Sequence, residues 1–171
     1  MLALYEKLRQ IPDFPKKGIL FYDLTPVMQD AQLFAQVIDA LAKPYEGKNI
    51  QTFCGIESRG FIFAATLAKK LNAGFVPIRK KGKLPWKTYQ ETYDLEYGQD
   101  TLEIHQDEFK DQGRVVLVDD LLATGGTAKA AQTLIEKAKG DLYALSVVLE
   151  LQGLEGRSKL KETPIHTLLA V

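Results

Sequence analysis

Apolar residues occur along this chain in short blocks, and the spacing within each block predicts its element. Met1 to Gln10 mixes charged residues with apolar ones every three to four positions, which predicts an amphipathic helix. Residues 11–26 hold Pro12, Pro15, Pro26 and Gly18 and are expected to be mostly irregular. Asp30 can cap a helix whose apolar face is Phe34, Val37, Ile38 and Leu41, and Pro44 stops it. Ile50 to Ile56 reads as a buried strand, Phe61 to Leu71 as a helix apolar nearly all round, and Phe75 to Ile78 as a short strand. Leu84 to Gln99 is polar, rich in aromatics and expected to be irregular. Within it Tyr89, Tyr93, Leu95 and Tyr97 share one parity, as do Leu102 and Ile104 beyond it, which suggests antiparallel or mobile extended segments. Val115 to Val118 is a buried strand, and Ala131, Leu134, Ile135 and Ala138 mark the stripe of a following helix. Leu142 to Leu149 and Ile165 to Leu169 supply two more strands.

Strands that alternate with helices predict an α/β fold, a mostly parallel twisted sheet flanked by helices on both faces. A length of 171 residues suits a single domain, 1–171, with a short N-terminal addition. Ligands of such sheets gather beyond the carboxyl ends of the strands. The loops at those ends are therefore the places to look for chemistry.

Composition narrows the function classes. The 22 basic and 22 acidic residues cancel, which argues against a dedicated nucleic-acid partner. No apolar run approaches the ~20 residues that span a bilayer, so no membrane partner is expected. The single cysteine, Cys54, lies in an apolar run and reads as a small buried hydrophobe. Together these features suggest a cytoplasmic protein.

The strongest constellation is the row from Val115 to Lys129. Its strand ends at Asp119-Asp120, and Ala123-Thr124-Gly125-Gly126-Thr127 then opens a helix. Glycines let the backbone approach a ligand closely, and N–H groups at a helix start favour an anion such as a phosphate. Two adjacent carboxylates repel each other and resist joint ionisation in a dry site. A ligand bearing both phosphate and hydroxyls, or a bound Mg²⁺, would compensate them. A ribose 5-phosphate fits, with its phosphate on the loop and its 2- and 3-hydroxyls on the carboxylates. Thr127-Ala128 follows Gly126 where a Walker A motif needs Lys-Ser/Thr, and the G-x-G-x-x-G fingerprint is absent.

Gly55 to Gly60 forms a second candidate anion cup after the Ile50 strand, with Arg59 as its charged partner. Arg79-Lys80-Lys81-Gly82-Lys83 follows the Phe75 strand and suits a polyphosphate. Lys80 and Lys81, taken alone, read as a solvated charge run. His105 and His166 lie outside every motif and read as structural.

The Val115–Lys129 segment resembles the phosphoribosyl-pyrophosphate motif of type I phosphoribosyltransferases. The resemblance extends over nearly the whole chain. Asp13-Phe14-Pro15, Gly18 to Asp23, Glu57 to Gly60 and Leu95-Glu96-Tyr97-Gly98 are similar to the members of that family that use adenine. It implies transfer of a ribosyl phosphate from 5-phosphoribosyl 1-pyrophosphate (PRPP) to adenine, giving AMP and pyrophosphate in purine salvage. It assigns Asp119 and Asp120 to the ribose hydroxyls and Ala123, Thr124, Gly125, Gly126 and Thr127 to the 5-phosphate. Ser58, Arg59, Arg79 and Lys83 would bind pyrophosphate, Arg79 commonly across a homodimer interface. A cis peptide bond between Glu57 and Ser58 is implied. Residues 1–26 would form a hood over the base, with Phe21 and Leu121 on the two faces of adenine and the Leu20 backbone reading its edge. Residues 80–99 would be a flexible catalytic loop carrying Glu96, the acid or base at the purine ring; Glu96 and Arg59 are the candidate catalytic residues. Mg²⁺ would be bound mainly through PRPP, with no direct protein ligand assigned. Tyr22 stands where the family usually has arginine.

Two rival readings keep the phosphoribosyl motif, and a third, a structural or interaction protein, leaves two anion cups unexplained. Of the first two, one is the same chemistry on xanthine, hypoxanthine or guanine. The other is a PRPP-sensing regulator; such proteins usually add a DNA-binding domain, and only about 26 residues precede the first core helix here.

Overall fold

The computed structural model describes residues 2–94, 98–109, 113–160 and 162–171. Nine strands are described: β1 (Arg9–Pro12), β2 (Leu20–Asp23), β3 (Thr52–Ile56), β4 (Gly74–Lys80), β5 (Thr88–Asp94), β6 (Gln99–His105), β7 (Arg114–Leu122), β8 (Asp141–Glu150) and β9 (Ile165–Ala170). The helices are α1 (Leu2–Lys7), α2 (Thr25–Gln29), α3 (Ala31–Ala42), α4 (Arg59–Leu71) and α5 (Gly126–Lys137). The main sheet runs in the order β5-β6-β4-β3-β7-β8-β9. β4, β3, β7, β8 and β9 are mutually parallel, whereas β6 and β5 extend the β4 edge in antiparallel fashion.

Local sequence explains the element ends. The Asp30 carboxylate accepts a hydrogen bond from the Leu33 amide at 3.1 Å and so caps α3. Pro44 lies in the short turn Lys43–Tyr45 that ends α3. Asn72, in the left-handed region with φ 54°, closes α4. Along β7, Val116 and Val118 face the α3 and α4 side, while Val115 and Leu117 face α5, the alternation expected of a doubly covered strand. Cys54 is buried on the α5 side of β3, and burial raises its thiol pKa well above the ordinary value.

Four expectations need correction. The N-terminal helix stops at Lys7, because Arg9 to Pro12 pairs with Leu20 to Asp23 as a hairpin within the segment expected to be irregular. Prolines at a strand end and in the connecting loop are compatible with such an edge pair. Thr88 to Asp94 is a regular strand in continuous antiparallel register with Gln99 to His105, which bears out the extended segments suggested by the tyrosine parity and corrects the irregular reading of Leu84 to Gln99. Its tyrosines alternate with polar residues, so it packs through one face only. Finally, α4 is buried through one stripe, and Ile62 is 41% exposed.

The crossovers fix where a ligand can sit. The chain leaves β3 through α4 to reach β4 on one side, and leaves β7 through α5 to reach β8 on the other. Right-handed crossovers in opposite directions place α4 and α5 on opposite faces. A crevice opens between the carboxyl ends of β3 and β7, the topological switch point.

Phe63 of α4 is fully buried beneath this crevice. Phe63→Ala is expected to lower the unfolding free energy by about 3–5 kcal/mol in urea titrations followed by circular dichroism. A loss below about 1 kcal/mol would contradict the packing described.

Candidate active site between the β3 and β7 loops

Two polar turns face each other across the switch point. Ile56, Glu57, Ser58 and Arg59 from the first and Asp119 to Ala128 from the second line a cavity of about 510 Å³. That volume suits a small-molecule ligand. Neither α4 nor α5 has a side-chain N-cap, so no side chain competes with a ligand for the N–H donors of their first turns, although the Phe61 amide already donates to the Ser58 carbonyl at 3.2 Å. Gly60 lets the turns approach: a β-carbon there would lie 2.8 Å from the Val118 carbonyl oxygen and 3.0 Å from Asp119 Oδ1. The peptide bond between Glu57 and Ser58 is cis, as the resemblance implies.

The carboxylates dominate the electrostatics. Burial, followed by repulsion from Asp120, lifts the Asp119 pKa well above the usual carboxylate range. Burial also raises Asp120, and Arg59 partly offsets this. Arg59 Nε lies 2.8 Å from Asp120 Oδ2. The same guanidinium sits 5.4 Å from the centre of the Phe21 ring, which meets Phe14 edge-on at 5.2 Å. Arg59 therefore connects the acidic pair to the N-terminal hairpin.

The structure brings Ser58, Arg59, Asp119, Asp120, Leu121 and the Ala123–Thr127 loop to one cavity, as expected. Arg79 and Lys83 do not line it. Arg79 Nε donates to Glu57 Oε2 at 3.2 Å, and Lys83 Nζ lies 3.5 Å from Glu57 Oε1. Burial opposes ionisation of Glu57, but the Lys80 amide and the Arg79 and Lys83 charges outweigh it and hold its carboxyl below the usual range. Leu20, 40% exposed, and Phe21 also lie outside the cavity wall. Tyr22 packs against the α3–α4 core, which accounts for an aromatic ring at this position. Glu96 falls outside the described residues.

Three wall residues escaped the sequence reading. Lys80 lines the cavity and pairs with Asp100 at 2.9 Å, so it is no bystander in the basic run. Asp100 lines it as well, and Tyr93 reaches the Thr127 side chain. The parity of Tyr93 hinted at a packed face. Nothing local marked Asp100, because its place depends on β6 pairing with the β4 edge.

The family model for the phosphoribosyl transferase domain matches residues 27–162. The chain belongs to the phosphoribosyltransferase family.

Named relatives place this phosphoribosyltransferase among the adenine phosphoribosyltransferases. It is 54% identical to the adenine phosphoribosyltransferase of Acidobacterium capsulatum over 95% of this chain and 90% of that protein. The crystal structure of the Thermoanaerobacter pseudethanolicus adenine phosphoribosyltransferase is 48% identical, covers 99% of both chains and superposes with a TM-score of 0.96. The Saccharomyces cerevisiae adenine phosphoribosyltransferase, complexed with an imino-altritol bisphosphate and adenine, is 43% identical over 98% of this chain and 97% of its own, with a TM-score of 0.92.

A stability test follows for the acidic pair. Both folded carboxyls hold their protons more tightly than the unfolded chain does, so the pair destabilises the free protein as pH rises above the ordinary carboxylate range. At pH 7.5 Asp119→Asn is expected to melt about 2–4 °C above wild type, the equivalent of about 1 kcal/mol in a domain of this size. The gain should vanish near about pH 4, where the unfolded carboxyls protonate. A lower melting temperature for the variant at pH 7.5 would contradict the repulsion described.

Proposed function

We propose that this phosphoribosyltransferase joins adenine to PRPP, releasing AMP and pyrophosphate, as a cytoplasmic purine-salvage enzyme. The observation that carries the reading is the meeting of Asp119-Asp120 with the open Ala123–Thr127 cup in one cavity at the switch point. The relatives' names support adenine as the base, and the yeast protein holds adenine.

In this reading the amides and hydroxyls of Ala123 to Thr127 hold the 5-phosphate, and Asp119 and Asp120 accept from the ribose hydroxyls. Hydrogen bonds to the carboxylates favour their ionised forms and relieve the cost of burying them together. Arg59 and Ser58 face the pyrophosphate from the β3 side. Arg79 and Lys83 join them by exchanging Glu57 for a phosphate oxygen. Leu121 packs on the base, and the hairpin brings Phe21 and the Leu20 backbone over it as a hood. The segment 80–99 closes over the reacting centre, with Glu96 as acid or base at the purine ring. Closure excludes water from a carbon that gains cationic character as the pyrophosphate leaves. Adenine N9 attacks the ribosyl carbon, and no covalent nucleophile on the protein is required. Positioning and charge stabilisation perform most of the work.

Among the described residues, no group of three or more His, Cys, Asp or Glu converges as a metal site. In this proposal a Mg²⁺ beside the paired carboxylates would draw most of its ligands from PRPP. Bound there, the ion would neutralise charge on the leaving pyrophosphate. A homodimer is part of the proposal. Phe61 of α4 and Phe75 of β4 meet edge-on with centroids 5.7 Å apart, and the exposed Ile62 and Phe75 suit a subunit interface near Arg79.

The deciding assay mixes the protein with PRPP, Mg²⁺ and each of adenine, hypoxanthine, guanine and xanthine, and identifies the nucleotide formed. AMP from adenine is the expected product, with 6-oxo purines disfavoured by orders of magnitude because their edge leaves buried polar groups unpaired. Preference for any 6-oxo purine would overturn the adenine assignment.

A further inference from the structure

A second segment closes the far side of the phosphate cup. The short helical turn Gly156–Leu160 follows β8 and lies against the Ala123–Thr127 loop. The approach is backbone to backbone. A β-carbon on Gly125, whose φ is 77°, would collide with the Gly156 carbonyl oxygen, and one on Gly156 would collide with the Ala123 carbonyl oxygen. The loop therefore takes its shape partly from this turn.

The turn is fastened at both ends. Glu150, 4% exposed at the end of β8, receives two hydrogen bonds from Arg157, Nε to Oε1 and Nη2 to Oε2, each 2.6 Å. The Thr167 hydroxyl donates to Glu150 Oε2 at 2.9 Å, and Arg157 Nη1 reaches the Ile165 carbonyl at 3.4 Å. The Arg157 bond holds the Glu150 carboxyl below its ordinary pKa range. Leu160 is buried in the α5-side core and anchors the other end. Between these anchors stands Lys159. Its Nζ lies 3.9 Å from the position a β-carbon on Gly126 would take, at the first residue of α5. It forms no ion pair among the described residues. The two cations lining the cavity are engaged elsewhere, Arg59 with Asp120 and Lys80 with Asp100.

We propose that Gly156–Leu160 is the outer wall of the phosphate cup, that Lys159 supplies its cation, and that the Glu150–Arg157 pair is the positioning device that holds the turn. The inference rests on the phosphoribosyl reading of the site. The cup's other donors are neutral amides and hydroxyls, and a sugar phosphate carries close to two negative charges at neutral pH. An ammonium at the rim of the cup supplies part of the balance. Glu150 and Arg157 touch no substrate and act through the turn.

The test is isothermal titration of ribose 5-phosphate, and separately of pyrophosphate, into the full chain. Lys159→Met is expected to weaken ribose 5-phosphate about tenfold, the loss of one charge-assisted contact, and to leave pyrophosphate unchanged. Lys159→Arg should restore most of the affinity. In steady-state assays the KM for PRPP should rise with kcat retained, because the phosphate is held equally before and during the reaction. Glu150→Gln should weaken ribose 5-phosphate as well. Combined with Lys159→Met, it should add less than its own single effect, because a loosened turn no longer presents the lysine. Should Glu150→Gln fail to fold, Arg157→Lys keeps the charge, loses the two-pronged contact and gives the same readout. Wild-type binding by Lys159→Met, or independent effects in the double variant, would overturn this inference alone. Failure of the wild-type chain to bind ribose 5-phosphate would remove the phosphoribosyl reading beneath it.

Discussion

Two neighbouring carboxylates at the end of a buried strand repel each other and resist ionisation, and this chain places such a pair where, among the described residues, the Arg59 guanidinium opposes it. Burial raises the pKa of both Asp119 and Asp120, and repulsion from Asp120 adds to the rise at Asp119. A fold selected for stability alone would replace them. They make sense as one half of a ligand site whose other half is the ring of uncapped amides from Ala123 to Thr127. Acceptors for hydroxyls and donors for a phosphate line the same cavity.

The sheet topology makes that adjacency possible. Because β3 and β7 are neighbours and their crossovers diverge, the loops after both strands open into one crevice instead of being covered by a helix. Gly60 then brings α4 against the end of β7, closely enough for Arg59 to reach Asp120. The guanidinium compensates one carboxylate in the free protein and also contacts the Phe21 ring of the hairpin. The antiparallel pair β5–β6 supplies the remaining wall through Tyr93 and Asp100, beside Lys80 at the end of β4.

Much of this was legible in the sequence because it depends on local pattern. Continuous apolar runs marked the parallel strands, the Asp30 cap and the Ala131–Ala138 stripe marked helices, and Asp119 to Thr127 is contiguous in the chain. What escaped detection depends on contacts distant in sequence. The β1–β2 hairpin was hidden by prolines that its edge position tolerates. The parity of Tyr89 and Tyr93 suggested an extended antiparallel segment, but the polar residues of Leu84 to Gln99 hid how regular Thr88 to Asp94 is. Lys80 read as solvated until Asp100, twenty residues on, was placed beside it. Gly156 carried no motif, and its approach to Gly125 is a tertiary event. Arg79 and Lys83 belong to a recognisable basic cluster, yet they turn to Glu57 rather than to the cavity, since a half-buried carboxylate is the nearest counter-charge.

The most direct measurement of the central claim is a crystal structure of the chain soaked with ribose 5-phosphate. The account predicts the phosphate against the amides of Ala123 to Thr127 and the 2- and 3-hydroxyls on Asp119 and Asp120. A sugar phosphate bound instead at the Gly55–Gly60 turn, or a saturating soak that leaves the Asp119–Thr127 cavity filled only with water, would contradict it.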